Sequence, residues 1–198
     1  MKSSLVQILL CLLFSLFLLS GIARGDSWIK PSPDCQRSDF DESAMVVAIE
    51  EAKKNLDAPF GASLFNCSDG TILARGHNDC ISYITHGEMQ TISSWTKQCQ
   101  WQEGKPCTKS YYHALSAEIG LASTGAPCMC ATAIAWMGFG RVVYASNYSM
   151  LAKYNWQPAQ PTQQQILDGF VTNPYSKDVA VRSNVLNNLT DPLFVNHK

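Results

Sequence analysis

PCMCATAIAWMGFGRVVYA, Pro127 to Ala145, reads as a helix followed by a strand. Met129 to Met137 is an apolar run rich in alanine, the strongest helix former, and predicts a buried helix. Arg141 to Ala145 is rich in β-branched residues and predicts a strand. Upstream, Ile119 to Ser123 predicts a further strand, so the helix has a strand on either side. Working outward, a helix begins near His86 and runs through Met89, Ile92 and Trp95. Gln98 to Lys109, with Gly104 and Pro106, is polar and reads as a loop.

Before it, Ala62–Phe65 and Ile72–Arg75 predict two strands joined through Ser68-Asp69-Gly70, a hairpin turn. Asp39 reads as the cap of a first helix, with Glu42 three residues on. Met45, Ala48, Ile49 and Ala52 give that helix an apolar stripe, and Ala58-Pro59-Phe60-Gly61 ends it. Helical pieces near Ser149–Tyr154 and Thr162–Phe170 complete an order of αββαβαβα. Strands alternating with helices imply an α/β sandwich with a mixed sheet. No repeat or low-complexity linker divides it, so one domain is expected, its core from about Phe40 to Phe170 with irregular ends.

The first residues have a different character. Lys2 is followed by an apolar run from Leu5 to Leu19, and Ala23 and Gly25 are small residues at the −3 and −1 positions of a cleavage site. Residues 1–25 are thus expected to be a signal peptide and 26–198 the domain. An uncleaved anchor is the competing reading. The run is short for a bilayer span of about 20 residues, and no other segment could cross a membrane. The sequence holds 15 Lys and Arg against 16 Asp and Glu, and Lys2 and Arg24 leave with the leader. Such a surface does not attract polyanions, which excludes a nucleic acid polymer as the expected partner and favours a small substrate.

Cys35, Cys67, Cys80, Cys99, Cys107, Cys128 and Cys130 remain after the leader, and an oxidising compartment would pair some of them. Cys99 and Cys107 bracket the polar loop and are expected to form a disulfide. The connectivity of Cys35, Cys67 and Cys80 does not follow from sequence. Sequons at Asn66, Asn147 and Asn188 agree with a secreted glycoprotein, although Cys67 lies inside the first.

Two short stretches carry chemistry: His86-Gly87-Glu88 and Pro127-Cys128-Met129-Cys130. One histidine and two thiolates fill three positions of a tetrahedral zinc and leave the fourth for water. Helix N-termini favour thiolates, and zinc acidifies bound water toward neutrality. Glu88 then has the position of a proton shuttle. Thr85 to Glu88 is also a capping-box pattern, which would fold Glu88 back onto the Thr85 amide.

These motifs resemble the H-x-E…P-C-x-x-C pattern of zinc-dependent deaminases of the cytidine/deoxycytidylate superfamily. Ala58-Pro59-Phe60-Gly61-Ala62 resembles that superfamily's first-strand signature. Gly76-His77-Asn78 is similar to the segment where guanine and tRNA-adenosine deaminases carry a substrate-binding asparagine. Cys130 to Gly138, and Arg141–Ala145 followed by Tyr154–Gln157, extend the likeness over roughly Met45 to Phe170.

The resemblance implies a three-layer α-β-α sandwich, a Zn2+ held by His86, Cys128 and Cys130, and Glu88 as catalytic acid and base. It also implies a nucleobase or nucleoside substrate touched by Asn78 and Phe60, with a lean toward guanine or guanosine over cytosine or cytidine. A homodimer is compatible with it. Asn78 is equally a common turn residue, Phe60 equally a core aromatic, and Trp136 and Trp156 read as core or wall. The family places two residues between its cysteines, whereas Cys128 and Cys130 have one. Either both still bind metal, or Cys128 joins a disulfide and the protein is a secreted, inactive deaminase-fold module for binding or defence.

Overall fold

The computed structural model describes residues 30–79, 81, 84–100, 116–125, 129–156 and 179–195. A 3-10 turn over Pro33–Gln36 leads into α1 (Asp41–Ala52). The hairpin β1 (Gly61–Asn66) and β2 (Ile72–His77) follows, then α2 (Gly87–Gln100) and β3 (Ile119–Gly125). Next come α3 (Cys130–Met137), β4 (Arg141–Ser146), α4 (Tyr148–Lys153), β5 (Ala180–Arg182) and α5 (Asn187–Val195). The sheet runs β2-β1-β3-β4-β5. β1 is antiparallel to both of its neighbours, whereas β3, β4 and β5 are parallel.

Alternation along the strands explains the layers. Leu64, Leu121 and Val142 point to one face, where they meet Ile92 and Trp95 of α2 and Cys130 and Ile134 of α3. Their chain neighbours Phe65, Ala122 and Val143 point to the other, against Ala44, Met45, Ala48 and Ile49 of α1. A strand side chain reverses face at each residue, so a sheet apolar on both faces needs helices on both. All seven residues of β3 are buried, as a central strand requires. The expected three-layer α-β-α sandwich with a mixed sheet is the fold observed.

Two expectations need correction. Asp39 does not cap α1; the cap position is Phe40, which makes no side-chain cap bond, and Asp39 accepts from Arg37 instead. Asp41, wholly buried, binds Arg141 Nε at 2.5 Å and Nη2 at 2.6 Å, with Arg182 Nη1 at 3.0 Å. The start of α1 is thus held by tertiary charge pairing. The C-terminal end is also not irregular, because residues 180–182 add the edge strand and 187–195 a helix.

Cys35 and Cys67 form a disulfide that ties the 3-10 turn to the end of β1. The polar segment expected from Gln98 begins later, since α2 continues to Gln100. The expected Cys99–Cys107 pairing and the Thr162–Phe170 helix fall outside the described residues and side chains. None of the described helices is long and apolar enough to cross a membrane.

Candidate active site

β2 and β3 both run antiparallel to β1, so they are parallel to each other and end at the same edge of the sheet. The helices that follow them, α2 and α3, therefore start side by side. His86 directly precedes α2 and Cys130 is the first residue of α3; His86 Nδ1 and Cys130 Sγ lie 3.6 Å apart. One carboxylate oxygen of Glu88 completes a group whose donor atoms all lie within 4.8 Å of one another. Glu88 and Cys130 are each 1% exposed.

The start of α2 is pressed close to the sheet. A Cβ on Gly87 would sit 2.9 Å from Phe60 O and 3.3 Å from Gly76 O, which is why the residue between His86 and Glu88 has no side chain. Asn78, just beyond β2, accepts the Gly87 N–H through Oδ1 at 2.7 Å and so satisfies an unpaired donor of the helix start. Glu88 Oε1 accepts the Ser123 hydroxyl of β3 at 2.6 Å. Asp79 ties down the loop carrying His86. A hydrogen bond from Thr85, with further ones from the Ile81 N–H and Gln90, outweighs burial and holds its carboxyl below the ordinary 3.8.

Phe60 lies behind the histidine. Its ring stacks on His86 with centroids 6.4 Å apart and 13° between planes, and packs on Phe194 at 4.9 Å and Trp156 at 5.7 Å. It is 8% exposed. Trp156 Nε1 donates to Phe194 O at 2.8 Å, so the chain after α4 and the end of α5 close this wall. Thr124 Oγ1 accepts the Gly61 N–H at 3.0 Å and donates to Pro59 O at 3.2 Å, fixing the backbone on both sides of Phe60. Trp136, on α3, is half exposed.

These donors fit zinc. Bonds of about 2.3 Å to sulfur and 2.0–2.1 Å to nitrogen, at a tetrahedral angle, separate the two ligand atoms by about 3.6 Å. That is the His86–Cys130 separation. The structure thus brings His86, Glu88, Cys130, Asn78 and Phe60 to one end of the sheet. Cys128 lies outside the described residues. Sequence reasoning missed Ser123, Thr124 and Phe194. The available signal for the first two was a pair of hydroxyl residues ending an otherwise apolar strand just before the cysteine motif.

The α-β-α sandwich sets histidine, glutamate and cysteine together at the paired starts of two helices, as a group that could hold a metal ion. The chain belongs to the family of the cytidine and deoxycytidylate deaminase zinc-binding region, whose model matches residues 38–146, more than half of its length. Among solved structures it is similar to the guanine deaminase of Nitrosomonas europaea, with a TM-score of 0.57 and 17% identity over 84% of each chain. A protein solved with 2,6-diaminopurine gives a TM-score of 0.59 at 19% identity, covering 78% of this chain and 79% of that one. A deaminase of A-to-I editing at the transfer-RNA wobble position gives 0.55 at 21%, covering 79% and 99%. At these identities the structural likeness establishes the fold.

Proposed function

We propose that this protein is a zinc-dependent hydrolase that removes an exocyclic amine from a small nucleobase or nucleoside, guanine or guanosine before cytosine or cytidine. The observation that carries this reading is the 3.6 Å approach of His86 Nδ1 to Cys130 Sγ with the buried Glu88 carboxylate beside them. His86, Cys130 and Cys128 would hold the metal, which when bound supplies a Lewis acid that acidifies water.

The remaining work belongs to the chain. With Oε1 accepting from Ser123, the Glu88 carboxylate takes one proton from the attacking water and delivers it to the ring nitrogen, then carries the second, from the newly formed hydroxyl, to the departing amine. Water is consumed, the C–N bond breaks, a carbonyl forms and ammonia leaves. Phe60 keeps the His86 ring in plane, and its edge bounds the base site. Asn78 Oδ1 is fixed by Gly87, which leaves its NH2 to donate to an acceptor on the base. The purine preference rests on Gly76-His77-Asn78 and on the Trp156 wall, in company with relatives solved with 2,6-diaminopurine and 8-azaguanine.

Metal analysis and an ultraviolet assay over a panel of bases and nucleosides test this. About one zinc per chain is expected, with turnover of at least one purine. Glu88→Gln should keep the zinc and lose about 10²–10⁴-fold in kcat. Cys128→Ser should lose zinc and turnover; full retention of both would remove Cys128 from the ligand set. A protein without zinc or turnover would instead be the binding module. We also propose that residues 1–25 are a cleaved leader and that the rest is secreted and glycosylated, which the Cys35–Cys67 disulfide supports. Secreted material beginning at Met1 would end that idea.

A further inference from the structure

Ser123 stands at the point where the sheet meets the chemistry. It lies on β3 opposite Ala62 of β1 and is wholly buried. Its Oγ is 2.6 Å from Glu88 Oε1 and 2.8 Å from Gly125 O, so one hydroxyl proton has two acceptors in reach. A carbonyl oxygen can only accept, and a carboxylate is the stronger acceptor of the two. The Ser123 hydroxyl reaches the Glu88 carboxylate from a different element, β3, across the sheet–helix boundary. A glutamate has three side-chain torsions, and burial alone does not select among its rotamers.

We propose that Ser123 is a positioning residue of the reaction, its hydroxyl fixing Glu88 Oε1 so that the carboxylate stays beside the His86 and Cys130 donors. The alternation of β3 makes this possible. Leu121 points to the face covered by α2 and α3, Ala122 to the face of α1, and Ser123 again to the α2 side. The inference rests on Glu88 being the proton carrier, and adds that its geometry is imposed from β3.

The test compares Ser123→Thr with Ser123→Val, nearly isosteric side chains that differ in the hydroxyl, and Ser123→Ala beside them. Zinc per chain, the thermal midpoint, KM and kcat are read for each, and again on a Glu88→Gln background. Val and Ala should lower kcat by about 10–100-fold, the range for a hydrogen bond to a charged group, with zinc and KM unchanged. Thr should restore kcat to within a few-fold, and Val should cost nothing further once Glu88 is Gln. Equal kcat for Thr and Val overturns the proposal, as does a fall in zinc or midpoint that tracks the loss of activity in Val. If Glu88→Gln turns over normally, the role of Glu88 itself fails. If Glu88→Gln is inactive while Val is normal, only the role of Ser123 fails.

Discussion

Replacing Gly61 by alanine probes the contact that sets the whole site against the rest of the fold. Gly61 opens β1, directly after Phe60, where α1 crosses the strand. An added Cβ would lie 2.1 Å from Ala48 O, 2.4 Å from Ala52 N and 3.0 Å from Ala52 Cα. Ordinary contact begins near 3.4 Å, so helix and strand must separate by roughly 1 Å. Every atom met is main chain, and no rotamer can relieve it. Overpacking costs about 1–3 kcal/mol, and this case belongs at the top. Alanine returns about 0.4–1 kcal/mol by restricting the unfolded chain. A net loss of about 2 kcal/mol corresponds to a midpoint lower by about 4–8 °C in a domain of this size. Urea and thermal unfolding followed by circular dichroism measure it. Ala52→Gly should not rescue the variant, because the obstruction is backbone. A midpoint within 1 °C of the parent, or rescue by Ala52→Gly, would refute the reasoning.

Two further outcomes follow from buried charges. Asp41→Asn leaves the Arg141 guanidinium buried without its counter-charge and should cost about 3–5 kcal/mol in urea unfolding; a loss under about 1 kcal/mol contradicts this. Burial raises the pKa of Glu51, but hydrogen bonds and charge from Lys54 and His77 outweigh it and leave the value below 4.5. Its stabilisation is therefore present above pH 4.5 and disappears as pH falls through the depressed value. Glu51→Gln should show a shallower loss of stability below pH 4.5 than the parent, and parallel curves would dismiss the effect.

Legibility in the sequence followed how strongly chemistry constrains residue type. The helix and strand of residues 130–146 were readable because an alanine-rich apolar run and a β-branched run have different periods and little else to be. His86, Glu88 and Cys130, which the fold brings within 4.8 Å of one another, stood out in the sequence because few residue types bind zinc or carry protons. The start of α1 was misread because Asp41 is drawn to an arginine 100 positions away, and local spacing cannot report that. The Cys35–Cys67 bond depends on which loops meet, so counting cysteines left it open. β5 has three residues, too few to show any period, and α5 contains Pro192, which weakens a helical signal.

The hydroxyls of Ser123 and Thr124 were hidden for another reason, which also explains why the site forms at all. On adjacent positions of one strand, they must face opposite sides of the sheet. Ser123 reaches Glu88 under α2, and Thr124 reaches Pro59 O and the Gly61 N–H at the entry to β1. The first holds the carboxylate; the second holds the backbone of Phe60, which stacks on His86. A slip of one residue between β1 and β3 would exchange the two faces and remove both supports at once. The register Ala62↔Ser123 is therefore as much a part of the candidate active site as the donors themselves. That register is secured two positions along the strands, where Leu64 and Leu121 pair across β1 and β3 under the α2–α3 layer. Packing the apolar layer correctly is what aims the two hydroxyls.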